Sequence, residues 1–158
     1  IVLLSSNGTK LITEAKSRAV TYLACLRNFR ATAHQLVDTH PRVAIIGAGS
    51  RAEFREEDQM CCAWIGELLL QHGYKADNSR TLEMISRWSG APASALISSK
   101  SVDYLRRTDQ LRDLEYILEH VDDLRSAYVM YGDEVSQCRR SGVIPVSARE
   151  IPAVAKVA

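Results

Sequence analysis

The sequence predicts an α/β fold: a mostly parallel sheet flanked by helices, with a helix-rich C-terminal half. Three observations predict it. Short apolar runs alternate with helix-like segments three times between Ile1 and Gly73, the pattern of strands joined by helical crossovers. Each run stops at a polar loop built from small residues. Beyond Gly73 the apolar residues recur mainly at helical spacing.

Ile1–Ser5 is the first apolar run, and Ser6-Asn7-Gly8-Thr9 is its turn, Asn-Gly being a strong turn signal. Leu11–Val20 reads as a short helix. Val20–Cys25, rich in β-branched and aromatic residues, reads as a strand. Ala31–Thr39 is helical and stops before Pro41, and Val43–Ile46 is a third apolar strand that runs into Gly47-Ala48-Gly49-Ser50-Arg51. From Glu56 onward Met60, Cys61, Trp64, Ile65, Leu68 and Leu69 fall on one helical face, with Gly73 at the expected C-cap. Ser79–Trp88 is helical and is broken by Gly90-Ala91-Pro92. Leu111, Leu114, Ile117, Leu118 and Val121 form another stripe, and Leu124, Tyr128, Tyr131, Val135 and Cys138 extend the helical rhythm past a break at Gly132. Val143–Val146 is a last strand. Residues 1–147 read as a single α/β domain and residues 148–158 as an irregular tail.

At 158 residues and 17.6 kDa the chain fits one domain of ordinary size. Lys and Arg total 20 against 19 Asp and Glu, a net charge of +1, which argues against a nucleic-acid partner. Hydrophobic residues make up 46% and charged residues 25%, a globular balance that argues against disorder. Met60–Leu70 is the longest apolar stretch, and Gly66 and Glu67 break it, so no membrane span of roughly 20 residues is expected. No basic-then-apolar leader is visible. A cytoplasmic protein acting on a small molecule is therefore expected, and a homo-oligomer is compatible with this. Ile1–Leu4, a strand-like run at the very start, reads as the interior of a longer polypeptide.

Cys25, Cys61, Cys62 and Cys138 show no C-x-x-C spacing and read as buried reduced thiols. His34, His40, His72 and His120 form no metal-binding pattern. The chemistry is expected instead where strand ends meet loops, because strand C-termini of an open α/β sheet share one edge. Gly8, Gly47 and Gly49 let backbone N–H groups approach an anion. Asn7, Thr9, Asn28 and Ser50 offer side-chain donors, while Arg27, Arg30 and Arg51 offer charge. The third loop adds Glu53, Glu56, Glu57 and Asp58. Carboxylates in a first helical turn match the helix dipole, but four around one glycine-rich turn suggest Mg²⁺ bridging protein and phosphate.

Alternatives can be read against the letters. Val43–Ala52 fits a strand followed by G-x-G-x-x-A, so a nicotinamide-dinucleotide site at Gly47–Ala52 is a second reading. The strand that should follow the helix and end in an acid is missing from Tyr74–Asn78. Asn7-Gly8-Thr9-Lys10 lacks the upstream glycine of a P-loop, and Cys25 to Arg30 is one residue short of C-x₅-R. A third reading is a non-catalytic assembly or ligand-binding domain.

Ser5-Ser6-Asn7-Gly8-Thr9, then Asn28 with Ala31, then Ala48-Gly49 leading to Phe54, Glu57-Asp58 and Cys61–Ala63 follow one another in a specific order and spacing. Together they resemble the 2-phosphosulfolactate phosphatase family, over most of residues 1–147. The resemblance implies Mg²⁺-dependent hydrolysis of the phosphate ester of 2-phospho-3-sulfolactate, a step toward coenzyme M. It implies that Asn7, Gly8, Thr9 and Asn28 line the substrate pocket and that Gly49, Glu57 and Asp58 sit at the metal or the reacting phosphate. On this reading Glu57 and Asp58 bind Mg²⁺ or act as general acid and base. Arg51, or the backbone at Gly47–Ser50, neutralises the phosphoryl oxygens. Gly47 stands where the family has Cys, Ala52-Glu53 where it has Gly before the Phe block, and Cys61–Trp64 lacks its Gly. The family's upstream D-x-L-R-A-T/S motif has no counterpart, so the chain reads as the C-terminal portion of that fold.

Overall fold

The computed structural model describes residues 8–16, 19–37, 39–49 and 53–138. In chain order the elements are α1 (Gly8–Lys16), β1 (Tyr22–Leu23), α2 (Phe29–Val37), α3 (Glu56–Gln71), α4 (Ser79–Trp88), a 3₁₀ helix (Ala93–Ser98), α5 (Lys100–Arg107), α6 (Leu111–Glu119), β2 (Tyr128–Tyr131) and β3 (Glu134–Gln137). The expected first strand, Val143–Val146 and the tail lie outside the described residues.

α3 is the centre of the molecule. Met60, Cys61, Ala63, Ile65 and Leu69 join Leu26, Phe29, Ala33, Leu36, Trp88 and Leu96 in one buried cluster. The single apolar stripe expected for α3 is too narrow. Cys62, Ala63 and Gly66 are buried as well, because α2 and α4 both pack against the helix. Each large side chain sealed here contributes about 2 kcal/mol of hydrophobic stabilisation. Phe29 meets the Trp64 ring at 5.0 Å between centroids. At Gly66 a Cβ would stand 2.9 Å from Ile85 Cδ1, so the missing side chain sets how closely α4 approaches.

Local chemistry sets the element ends. The Asn78 side chain accepts the Thr81 N–H at 3.0 Å and starts α4. Buried Ser99 accepts the Val102 N–H at 3.3 Å and starts α5. The predicted C-cap Gly73 follows α3 with φ +88°, a conformation that favours glycine. The Tyr74 hydroxyl lies against the carbonyls of Leu36, Val37 and His40 and covers acceptors that the end of α2 leaves open.

The expectation of a mostly parallel sheet is corrected. Among the described residues the sheet has three strands in the order β1-β2-β3, and both pairings are antiparallel. Tyr22 lies opposite Val129, and Val129 opposite Ser136. The helical rhythm expected for Leu124–Cys138 is also corrected, because this stretch is the β2–β3 hairpin. Its aromatic and β-branched residues around Gly132-Asp133 carry a hairpin signal. That signal outweighs spacings compatible with either period over so short a run. The strand expected at Val43–Ile46 is corrected as well: residues 43–48 carry no strand and join no ladder among the described residues.

Candidate functional site

The start of α3 and the loop before it form one unit. Glu56, Glu57 and Asp58 occupy the first turn, where the helix dipole favours negative charge. Gly47 lies directly on this turn: a Cβ there would be 3.1 Å from Asp58 Cβ and 3.7 Å from Cys62 Sγ. The Gly49 N–H donates to Asp58 Oδ2 at 2.8 Å. Gly49 has φ +62°, and a Cβ on it would stand 2.8 Å from the Glu53 carbonyl oxygen. Glycine is therefore required twice over, by conformation and by space.

Glu57 reaches α5. Its Oε1 accepts the Ser101 hydroxyl at 2.7 Å. Lys100 pairs with Glu53 at 3.1 Å and holds the Glu53 carboxyl below its usual range. The start of α5 is thus joined to the acidic segment by two side-chain contacts. Among the described residues, Glu57 Oε2 and Glu56 Oε2 are buried without a hydrogen-bond partner. A buried carboxylate oxygen without a donor is costly, and a bound cation would relieve that cost.

Asn28 is buried and works within its own loop. Its Oδ1 accepts the Cys25 N–H at 2.8 Å, and its Nδ2 donates to the Leu23 carbonyl at 3.0 Å. The loop is clamped from outside as well. The N–H groups of Asp122 and Leu124 donate to the carbonyls of Leu26 and Arg27 at 2.9 Å each. Arg27 forms a two-pronged pair with Asp123 at 2.8 and 2.7 Å, and Arg30 pairs with Asp122 at 2.8 Å. Two of the three arginines singled out in the sequence as loop charges, Arg27 and Arg30, are therefore engaged by acids that follow α6.

The structure brings Gly47 and Gly49 onto Asp58, while Glu57, its neighbour in sequence, contacts Ser101. Gly8 and Thr9 form the first turn of α1. Asn7, Ser50 and Arg51 lie outside the described residues. Ser101 and Lys100 were missed in the sequence reading. Ser99 before Val102 is a capping signal for their helix, but nothing in the letters pairs it with Glu53 and Glu57.

The thiols report on the same region. Burial, then the charges of Cys62, Cys25 and Asp58, push the Cys61 thiol well up. Burial and the Asp58 charge push Cys62 up to about 11. Cys61 and Cys62 are buried as expected, whereas Cys25 is exposed. It sits in the β1–α2 turn. Among the described residues, no group of three or more His, Cys, Asp or Glu is arranged to hold a metal, and no helix is long and apolar enough to cross a membrane. Residues 74–78 form no strand.

Two curated relatives, from the Eklund 17B (Type B) and Alaska E43 (Type E3) strains of Clostridium botulinum, are each named a probable 2-phosphosulfolactate phosphatase. Each is 21% identical to this chain over 122 residues, which is 75% of this chain and 51% of the relative. The chain spans about half the length of the curated relatives it matches. The family model for 2-phosphosulpholactate phosphatase matches residues 1–126, and by that match the chain belongs to this family.

Proposed function

We propose that this chain carries the acidic side of a Mg²⁺-dependent phosphomonoesterase site that hydrolyses 2-phospho-3-sulfolactate to 3-sulfolactate and phosphate, in the route to coenzyme M. The observation that carries the reading is the Gly49–Asp58 hydrogen bond, which seats a glycine loop on a helix start bearing three carboxylates. Family membership supports the choice of substrate class.

The donor set fits Mg²⁺, which is commonly held by one or two carboxylates with water and substrate phosphate completing its shell. Glu57 and Asp58 would hold it, and the buried Glu57 Oε2 without a donor supports the fit. When bound, the ion would neutralise charge on the phosphoryl oxygens. Asp58 orients the loop through Gly49, and Ser101 fixes Glu57 by donating to Oε1. A carboxylate held in this way accepts a proton from the attacking water. The new bond forms between water oxygen and phosphorus, the bond from phosphorus to the ester oxygen breaks, and the carboxylate gives the proton it took to that oxygen, which leaves as the 2-hydroxyl group. Asn7, Gly8, Thr9, Asn28 and Ser50 would line the substrate, with Arg51 supplying positive charge. A non-catalytic relative is the second reading, favoured by Arg27, Arg30 and Asn28 being engaged by other groups of the chain.

Phosphate release from 2-phospho-3-sulfolactate, with and without Mg²⁺, tests the proposal. Glu57→Gln should lower turnover by about 100-fold or more, the scale of losing one group that stabilises the transition state. Metal-independent release, or a Glu57→Gln variant as fast as the parent, would remove the assigned role. A folded chain that releases no phosphate under any metal would favour the second reading.

A further inference from the structure

Two histidines meet where α2 and α3 end. His34 lies in the last turn of α2, and His72 is the residue that closes α3. They stand 38 residues apart in sequence, so no metal-binding spacing is visible in the letters. In space their rings are edge to face, with centroids 5.7 Å apart and planes at 90°, and both residues are exposed. The His72 Nδ1 lies 2.8 Å from the Leu68 carbonyl oxygen. A carbonyl only accepts, so Nδ1 carries the proton and donates it, and Nε2 keeps its lone pair for a ligand. A carbonyl behind one ring nitrogen is the arrangement that orients metal-binding imidazoles. Two helix C-termini also bring the negative ends of their dipoles to this place, where a cation is favoured.

We propose that His34 and His72 together hold one imidazole-favouring divalent ion, of the class of Zn²⁺, Ni²⁺ and Cu²⁺, as a clamp between the ends of α2 and α3. The spacing fits. With bonds of about 2.1 Å and a ring centre about 1.1 Å behind each nitrogen, an ion shared by both rings stands about 3.2 Å from each centre. Centres 5.7 Å apart then subtend about 125° at the ion, and closing the rings by about 0.5 Å gives the tetrahedral angle. Because both residues are exposed, water completes the shell. Imidazole nitrogen selects these ions over Mg²⁺, which takes oxygen ligands. The clamp is thus chemically distinct from the carboxylates of Glu57 and Asp58, and it lies about 20 Å from them along α3. It does not rest on the phosphatase reading. Its effect is on the packing of α2 against α3, because an ion bound by both helices in the folded chain stabilises that chain. His40 and His120 pack against tyrosines instead, Tyr22 and Tyr116, and serve as internal controls.

Zn²⁺ alone is the probe, titrated into the chain near pH 7.5 while the carbon-bound ring protons of the four histidines are followed by NMR. His34 and His72 should shift together and saturate at one ion per chain, with His40 and His120 unmoved, and Mg²⁺ should move none of them. Saturating Zn²⁺ should raise the melting temperature by a few degrees. His34→Gln and His72→Gln, each at an exposed position, should weaken the titration midpoint by about tenfold or more, since even the partners behind a metal ligand are worth that much, and should abolish the rise in melting temperature. Cys25→Ser, which removes an exposed thiol, should change neither result. The parent titration tests the clamp even where a variant fails to fold. The proposal is overturned if Zn²⁺ moves neither ring or only one of the two, if His40 or His120 follows the same curve, or if either glutamine variant binds as tightly as the parent.

Discussion

The Gly49 N–H points at Asp58 Oδ2 across 2.8 Å, so the acid that heads α3 is the anchor of the glycine loop before it. A hydrogen bond to a charged acceptor is worth about 1.5–3 kcal/mol. Asp58→Ala should lower unfolding stability by roughly that amount, while Asp58→Asn, which keeps a carbonyl acceptor, should lose less than about 1 kcal/mol. Urea denaturation checks this. Equal losses in the two variants would mean that the contact matters through shape and not through its acceptor.

Gly49 and Gly73 both have positive φ, +62° and +88°. They differ in surroundings: a Cβ at Gly49 meets the Glu53 carbonyl oxygen at 2.8 Å, and one at Gly73 meets nothing within 4 Å. Left-handed backbone costs an L-residue about 1–2 kcal/mol. Gly73→Ala should show only that cost in chemical denaturation. Gly49→Ala should exceed it by about 1 kcal/mol or more, because a backbone oxygen moves only if the loop moves. If Gly73→Ala proved as damaging as Gly49→Ala, the close approach to Glu53 would have no energetic weight.

At Gly66 two terms oppose each other. Alanine gains about 1 kcal/mol of helix propensity but places a Cβ 2.9 Å from Ile85 Cδ1 and 3.1 Å from Cγ1. Ile85 is buried and β-branched, and overpacking costs about 1–3 kcal/mol. Gly66→Ala should therefore be destabilising by up to about 2 kcal/mol. Ile85→Val deletes Cδ1, so the double variant should be more stable than the two separate losses predict. A double-mutant cycle with no coupling would show that α4 shifts freely to make room.

Much of the helical frame was legible because its signals are local. The α3 periodicity and Gly73 after α3 need only neighbours in sequence to be read. The same holds for Gly49 and Asp58, nine residues apart in sequence. The Glu57–Ser101 contact spans 44 residues, and the clamp of Arg27 on Asp123 spans 96. No spacing rule reaches across such gaps. Asn28 reads from the sequence as a donor lining a substrate pocket, whereas its side chain bonds the Cys25 N–H and the Leu23 carbonyl within the turn itself, the usual competing use of Asn in loops. The hairpin at residues 128–137 was lost to a helical reading because four-residue strands offer too few positions to separate the two periods.

Thiol labelling should separate the cysteines. Cys25 is exposed, whereas Cys61 and Cys62 are buried. Thiolate is the reactive form, and burial with the Asp58 charge pushes Cys62 up to about 11 and Cys61 higher than its ordinary value. In the folded protein at pH 8, iodoacetamide should modify Cys25 first and leave Cys61 and Cys62 unlabelled until denaturant is added. Asp58→Asn removes one of the charges that raise both buried thiols, so it should speed their labelling without exposing them. Prompt labelling of Cys62 in the parent would contradict its burial against Gly47.

His40 links stability to mild acid. Burial lowers its pKa from 6.5. Nδ1 lies 2.7 Å from the Thr39 hydroxyl, and Nε2 is buried without a partner among the described residues. A protonated ring would have to keep a charge where its second N–H finds no acceptor. The unfolded chain, with the ordinary value, binds the proton more readily, so acid favours unfolding. The contribution of neutral His40 is therefore fully present above pH 6.5 and is lost as pH falls from there toward the lowered folded value. Melting temperature should fall between about pH 7 and pH 5, the ordinary range of histidine titration. His40→Gln, which cannot titrate, should flatten that part of the curve while its value at neutral pH reports only the change in packing. A His40→Gln protein whose melting curve still fell with the parent's slope would move the acid sensitivity to another group.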